Sequence, residues 1–169
     1  VGFLREVGRA RAAARNPRAA AVVLRAHHGA AAHRQDGAGS DLVAWTLVGI
    51  NGKGGAPYGT CVLSGAIGDD GRFLVVHHKA TRPGLVAAAD VVTDCDFQNG
   101  ADTVLLVDPN GQVRDALAYG VFAAGDIAAG EGPPHPGPQA NSGQALARAA
   151  AGVDTNDNLS DWVVVAPSF

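Results

Sequence analysis

The densest run of oxygen-bearing side chains in this chain is Asp154-Thr155-Asn156-Asp157-Asn158-Leu159-Ser160-Asp161. Hard cations such as calcium take several oxygen ligands, often from one short loop. Asp154, Asn156 and Asn158 alternate as the first ligands of a calcium loop do, and Asp161 adds a further carboxylate. The run then departs from the helix-loop-helix calcium pattern. No glycine follows the third ligand, and Val165 stands where that pattern needs a bidentate Glu. Asp and Asn have a second use in such text, because their side chains accept hydrogen bonds from nearby backbone amides in turns. The structural use outweighs calcium, and Asp154, Asn156, Asn158 and Asp161 stand as the candidate metal set.

Other residue types that do chemistry are scattered. His77 and His78 are adjacent on an extended run, so they point to opposite faces and do not share a metal. His27, His28 and His33 form a loose tract without Cys, Asp or Glu at ligand spacing. Ser64 in LSGAIG and Ser142 in NSGQA lack the Gly-x-Ser-x-Gly elbow of a hydrolase. No two carboxylates are placed together by sequence for acid–base work. Gly49, Gly52, Gly54 and Gly55 are not followed by a helical pattern, so they lack the setting of a phosphate loop. Trp45 and Trp162 have the look of a sugar-stacking pair, but both fall inside strand patterns, where a core role is expected. These readings predict a protein without catalytic residues and without a cofactor, calcium being the one exception to test.

The elements that would position such residues are short strands. Leu42–Val48, Thr60–Leu63, Arg72–His77, Thr103–Val107, Gln112–Tyr119 and Trp162–Val165 read as β-runs, and Gln144–Arg148 as a short extended piece. Asp108-Pro109-Asn110-Gly111 lies between two apolar runs and predicts a hairpin, since Asn and Gly accept positive φ. Loops rich in Gly and Pro separate the strands at 49–59, 79–96 and 124–143. No convincing amphipathic helix follows residue 35. The pattern predicts an all-β fold of sandwich type. Leu42, Trp45, Leu47, Phe73, Val75, Phe97, Val104, Leu106, Tyr119, Leu146 and Trp162 are its expected core.

Composition sets outer bounds. The 169 residues suffice for one domain with one core. Apolar residues are 47% and charged ones 17% of the chain, a globular balance that is poor in charge. No apolar run reaches the roughly 20 residues that span a bilayer. A chain that begins at Val1 reads as a piece of a longer product, and any signal peptide of that product would lie outside it. The net charge of −3 conceals an asymmetry. Residues 1–34 hold seven Arg against Glu6, about +6, and residues 35–169 hold six basic and fifteen acidic side chains, −9. An acidic body repels phosphate backbones, so nucleic acid is not its expected partner.

Two segments follow. Residues 1–35 are a basic arm rich in Ala and Arg, and residues 36–169 are the β domain. Propensity permits a helix over 5–15, interrupted at Pro17, and a short strand at Val22–Leu24. Three readings of the arm stand side by side: a degenerate first strand, a basic disordered arm, or text translated out of frame. Cys61 and Cys95 belong to no metal or redox motif. Pairing needs Cβ atoms that meet, which sequence does not supply, and two inert thiols are the favoured expectation.

Four blocks in order, DLVAWTLVGING, GRFLVVHH, DFQNGADTVLLVDPNGQVRDALAYG and QALARAAAGVDTNDNLSDWVVVAP, resemble the lamin-tail domain, closest to its bacterial members. The likeness covers about three quarters of the chain and is weakest at the opening strand, where the acidic-aliphatic pattern of the family is missing. It implies an immunoglobulin-like β-sandwich whose N-terminal segment is irregular or partly helical. It implies a non-catalytic binding or tethering module, extracellular or in the cell envelope, whose partner is a protein or an envelope or matrix component. Fusion to an enzyme domain in the full-length protein is a habit of such relatives. It also makes the Asp/Asn-rich block before the last strand a fold element. The alternatives are a calcium-dependent adhesion or carbohydrate-binding module, an accessory domain of a larger extracellular hydrolase, and a degenerate product with a damaged first strand.

Overall fold

The computed structural model describes residues 4–8, 21–25, 41–67, 72–77, 86–94, 96–138, 142, 144–149 and 154–166. Their regular structure comprises ten strands and a short helix ahead of the last strand, with Val86 and Ala87 also helical. The strands are β1 (Leu4–Gly8), β2 (Ala21–Arg25), β3 (Thr46–Asn51), β4 (Pro57–Val62), β5 (Arg72–His77), β6 (Val91–Thr93), β7 (Asp102–Val107), β8 (Val113–Tyr119), β9 (Ala145–Arg148) and β10 (Trp162–Val165). The helix, α1, is the single turn Asn158–Asp161 leading into β10. The protein is all-β, as its short runs and turn residues predict.

The strands form two sheets. One has six strands in the order β10-β9-β1-β2-β5-β6, and the other has four in the order β4-β3-β7-β8. Neighbours are antiparallel except β5 and β6, which run parallel. Apolar side chains from both sheets meet in a common core. Leu47, Val104, Leu106 and Leu117 enter it from the four-stranded sheet, and Val75, Leu146 and Trp162 from the six-stranded one. Phe97 and Leu42, on connecting segments, complete it. Burial of each such large side chain contributes about 1.5–3 kcal/mol relative to exposure. Of the expected core, Trp45 is only partly buried and packs against the cluster from outside. The Phe73 side chain lies outside the described residues.

Local chemistry explains the turns. In the β7–β8 hairpin, Asp108 Oδ1 accepts the N–H of Asn110 and of Gln112, each at 2.9 Å. Its Oδ2 pairs with Arg114 at 2.6 Å. The bond from Gln112 leads the interactions that hold the Asp108 carboxyl below its ordinary range. Gly111 turns at φ +79°, and its N–H closes the turn on Asp108 O at 2.9 Å.

Two expectations change at the N-terminal side. The first strand of the tryptophan block starts at Thr46, not Leu42. Trp45 N–H donates to Leu42 O at 3.1 Å, and Ala44 sits at φ +64°. A left-handed residue cannot continue an extended strand. Leu4–Gly8, which overlaps the stretch 5–15 where propensity permits a helix, is a strand lying between β2 and β9 in the sheet. Sheet pairing supplies the backbone bonds that a helix would have supplied, and it overrides a weak propensity. Val22–Leu24 falls inside β2, as expected.

Candidate functional site

The chain's polar chemistry converges on Arg148, the last residue of β9. Its guanidinium side chain is fully buried. Nη2 donates to Asp115 Oδ1 of β8 at 2.7 Å, and Nη1 to Asp161 Oδ2 of α1 at 3.1 Å and to Asp154 Oδ1 at 3.3 Å. The Trp162 ring lies beneath it, 5.0 Å from guanidinium carbon to ring centroid, within cation–π range. One arginine thus joins an edge strand of the four-stranded sheet to the closing strands of the six-stranded sheet. Burial works against its charge, but Asp115, Asp154 and Asp161 outweigh that and raise its pKa.

The Asp/Asn run is wound around this centre by its own side chains. Asp157 caps α1, accepting from the N–H groups of Leu159 at 2.9 Å and Ser160 at 3.2 Å. Asp161 accepts the Thr155 N–H at 2.8 Å and the Thr155 hydroxyl at 2.7 Å. Burial pushes the Asp161 carboxyl up, but these bonds and Arg148 prevail and hold it below its ordinary range. Asn156 adopts φ +55°, a conformation Asn tolerates better than most residues, and donates its N–H to Asp154 Oδ1 at 3.2 Å. This is the structural use of the run that its composition favours.

The four candidate calcium ligands differ in their partners. Asp154 and Asp161 meet at Arg148. Asn156 is exposed, and its backbone N–H donates to Asp154 Oδ1. Asn158 is 1% exposed, and neither its Oδ1 nor its Nδ2 has a hydrogen-bond partner. A different set does converge. One carboxylate oxygen from each of Asp115, Glu131 and Asp154 lies within 4.8 Å of the others. Glu131 comes from the loop after β8, which returns along β8 through the bond from His135 N–H to Ala118 O at 3.0 Å. Burial first, and then the charges of Asp115 and Asp154, push the Glu131 carboxyl up to about 7.

Asp115, Glu131 and Arg148 escaped sequence reading. Asp115 left a trace, since it shares with Leu117 and Tyr119 the inward face of VRDALAY. A lone acid in such a row asks for a buried partner. Glu131 and Arg148 left none, because nothing in the chain says that residues 115, 131 and 148 meet.

Comparison of the chain with protein-family models, with curated proteins and with solved structures finds no match. Function is read from the residues alone.

Two further features bear on it. A recess of about 380 Å³ opens beside β4, lined by Tyr58, Thr60, Asp94, Asp96, Phe97 and Gln98. The Tyr58 hydroxyl accepts the Gln98 N–H at 3.0 Å and donates to Asp102 Oδ2 at 3.4 Å. Burial raises both the Tyr58 phenol and the Asp102 carboxyl above their ordinary ranges, and the hydrogen bond between them ties β4 to β7. Cys61 borders the recess and is disulfide-bonded, which corrects the expectation of inert thiols. The chain's one other cysteine is Cys95. Second, two of the Gly-rich loops meet. Ile127 N–H donates to Gly52 O at 2.8 Å, and nearby Val121 and Ile127 are exposed.

His77 closes β5, while the His27, His28, His33 tract and His78 lie outside the described residues. Ser64 and Ser142 are both exposed. Among the described residues no helix is long and apolar enough to cross a membrane.

Proposed function

We propose that this chain is a non-catalytic binding or tethering module of lamin-tail type, an immunoglobulin-like sandwich in a bacterial secreted or envelope protein. The observation that carries the reading is that all four blocks of the resemblance supply side chains to one core. Leu47 comes from the first, Val75 from the second, Phe97, Val104, Leu106 and Leu117 from the third, and Leu146 and Trp162 from the fourth. The Asp/Asn block, a fold element under that resemblance, is spent on capping and on Arg148. A partner would meet the joined loops at 51–56 and 121–127, where exposed Val121 and Ile127 stand on a surface held by backbone bonds. Rigid scaffolds present binding residues on loops of this kind.

Co-sedimentation of the full chain with isolated bacterial envelopes and with purified cell-wall sacculi, in chelator, tests the reading. The expected result is saturable binding that falls tenfold or more when Val121 and Ile127 are both replaced by Ser. Binding that never saturates, or that ignores this double change, removes the tethering role.

A further inference from the structure

We propose that Asp115, Glu131 and Asp154, together with the side-chain amide of Asn158, form a binding site for one hard divalent cation of the calcium class. The site is not the linear one that the spacing of Asp154, Asn156 and Asn158 suggests. It draws on three places far apart in the chain: β8, the loop after it, and the turn before α1.

Convergence of carboxylates is the first observation. The three ligand oxygens lie within 4.8 Å of one another, a separation that allows all three to reach one ion at the 2.3–2.6 Å typical of calcium. The charges that face Glu131 are Asp115 from β8, Asp154 and Asp161 from the α1 region, and Arg148 from β9. Among the described residues these charges are mainly acidic, a setting that suits a divalent cation. Arg148 bonds Oδ1 of Asp115 and Oδ1 of Asp154. An ionised carboxylate has two oxygens and about four acceptor directions, so a bond to Arg148 does not by itself exclude an ion.

The independent observation is Asn158. Its side chain is buried and both of its polar atoms lack partners, an arrangement native proteins avoid unless something satisfies it. Its position sets its direction. The Asn158 N–H donates to the Glu131 carbonyl at 2.8 Å, and a Cβ added at Gly130 would lie 2.8 Å from Asn158 Nδ2. The orphaned amide therefore lies against Gly130, the chain neighbour of Glu131. Asn158 and Asp161 are the buried residues of α1. They are three apart and so on one helical face, the face that meets Arg148 through Asp161. The two loops that bring Glu131 and Asp154 are already packed, since a Cβ at Gly132 would lie 3.1 Å from the Asp157 Cα. An all-oxygen donor set favours calcium over zinc or copper. Ligands on irregular loops favour calcium over magnesium, which demands a near-ideal octahedron.

The test titrates the full chain, stripped of metal, with calcium chloride by calorimetry and repeats its thermal melt in millimolar calcium. The expected result is one ion per chain and a saturable rise of several degrees in Tm. Glu131→Gln should keep the wild-type circular dichroism spectrum and lose tenfold or more in calcium affinity. Asn156→Ala, outside this set, should bind as wild type. Asp115→Asn removes a partner of Arg148 and can unfold the protein, so it is not the deciding variant. No saturable heat and no Tm change up to about 10 mM calcium, a concentration above the weak end of known sites, overturns the proposal. So does binding that ignores Glu131→Gln, or that is lost in Asn156→Ala instead. Magnesium binding as tightly as calcium overturns the choice of ion. The envelope assay is run in chelator, so failure here and failure of the tethering role are separate results.

Discussion

Replacing Arg148 with Met is expected to be the most damaging single change of a charged residue in the described structure. Met keeps much of the apolar stem and deletes the guanidinium. Asp115 and Asp161 have side chains 0% and 2% exposed, so neither can recover a hydration shell in the folded state. Removing one partner of a buried ion pair costs about 3–5 kcal/mol, because the remaining charge stays buried without compensation. Loss of the cation–π contact with Trp162 adds about 0.5–2 kcal/mol. A domain of this size is stable by about 5–15 kcal/mol, so the variant should retain a fold but sit near its margin. Urea unfolding at neutral pH, followed by tryptophan fluorescence and far-UV circular dichroism, measures the loss. The variant should also be less penalised at acid pH, where the orphaned carboxyls take up protons and the uncompensated charge disappears. Arg148→Lys keeps the charge but has no planar fork to reach Asp115 and Asp161 at once. It should lose roughly 1–3 kcal/mol and serves if the Met variant does not fold. The double change Arg148→Met with Asp115→Asn should cost less than the sum of its parts, since the second change removes the charge that the first strands. A loss below about 1 kcal/mol for Arg148→Met, or strict additivity in the cycle, would refute the reasoning.

Other consequences can be checked on the same material. Glu131 has a folded pKa of about 7 against an ordinary 4.5, so folding favours its protonated form. Its contribution to stability is complete below about pH 4.5 and is lost as the pH rises through 7. Since Glu131 is partly exposed, solvent screening reduces this to about 1–2 kcal/mol. In metal-free buffer, Glu131→Gln should flatten the urea midpoint between pH 5 and 8, and an unchanged slope would show that Glu131 titrates normally. Gly120 sits at φ +98°, and a Cβ there would lie 2.3 Å from the Gly100 carbonyl oxygen. Gly120→Ala should therefore destabilise by about 2–4 kcal/mol through strain and overlap together, read by thermal melting. Gly111→Ala is the control, with the same sign of φ at +79° and open space around it. It should cost only about 1 kcal/mol.

What the sequence determined by itself was local. The short apolar runs TVLLV and ALAY, and the Pro-Asn-Gly turn between them, are enough to make the β7–β8 hairpin, because strand propensity and turn geometry are properties of a few adjacent residues. Most of the expected core positions are buried for the same reason. The capping role of Asp157 likewise needs nothing beyond the next three residues. Leu42–Trp45 shows the limit of such reading. Its apolar text is strand-like, yet Ala44 is driven to positive φ, where Leu42 bonds to Gly65 and Asp41 bridges to Ala66. Leu4–Gly8 became a strand through its pairing with Ala145, Leu146 and Ala147 of β9 and with β2 rather than through propensity. The polar centre belonged wholly to tertiary structure. Asp115, Glu131, Asp154 and Arg148 are separated by as many as 33 residues between bonded partners, and no spacing rule links them. Their charges acquired strength only when packing removed water from around them, because the interaction of two charges grows as the local dielectric falls.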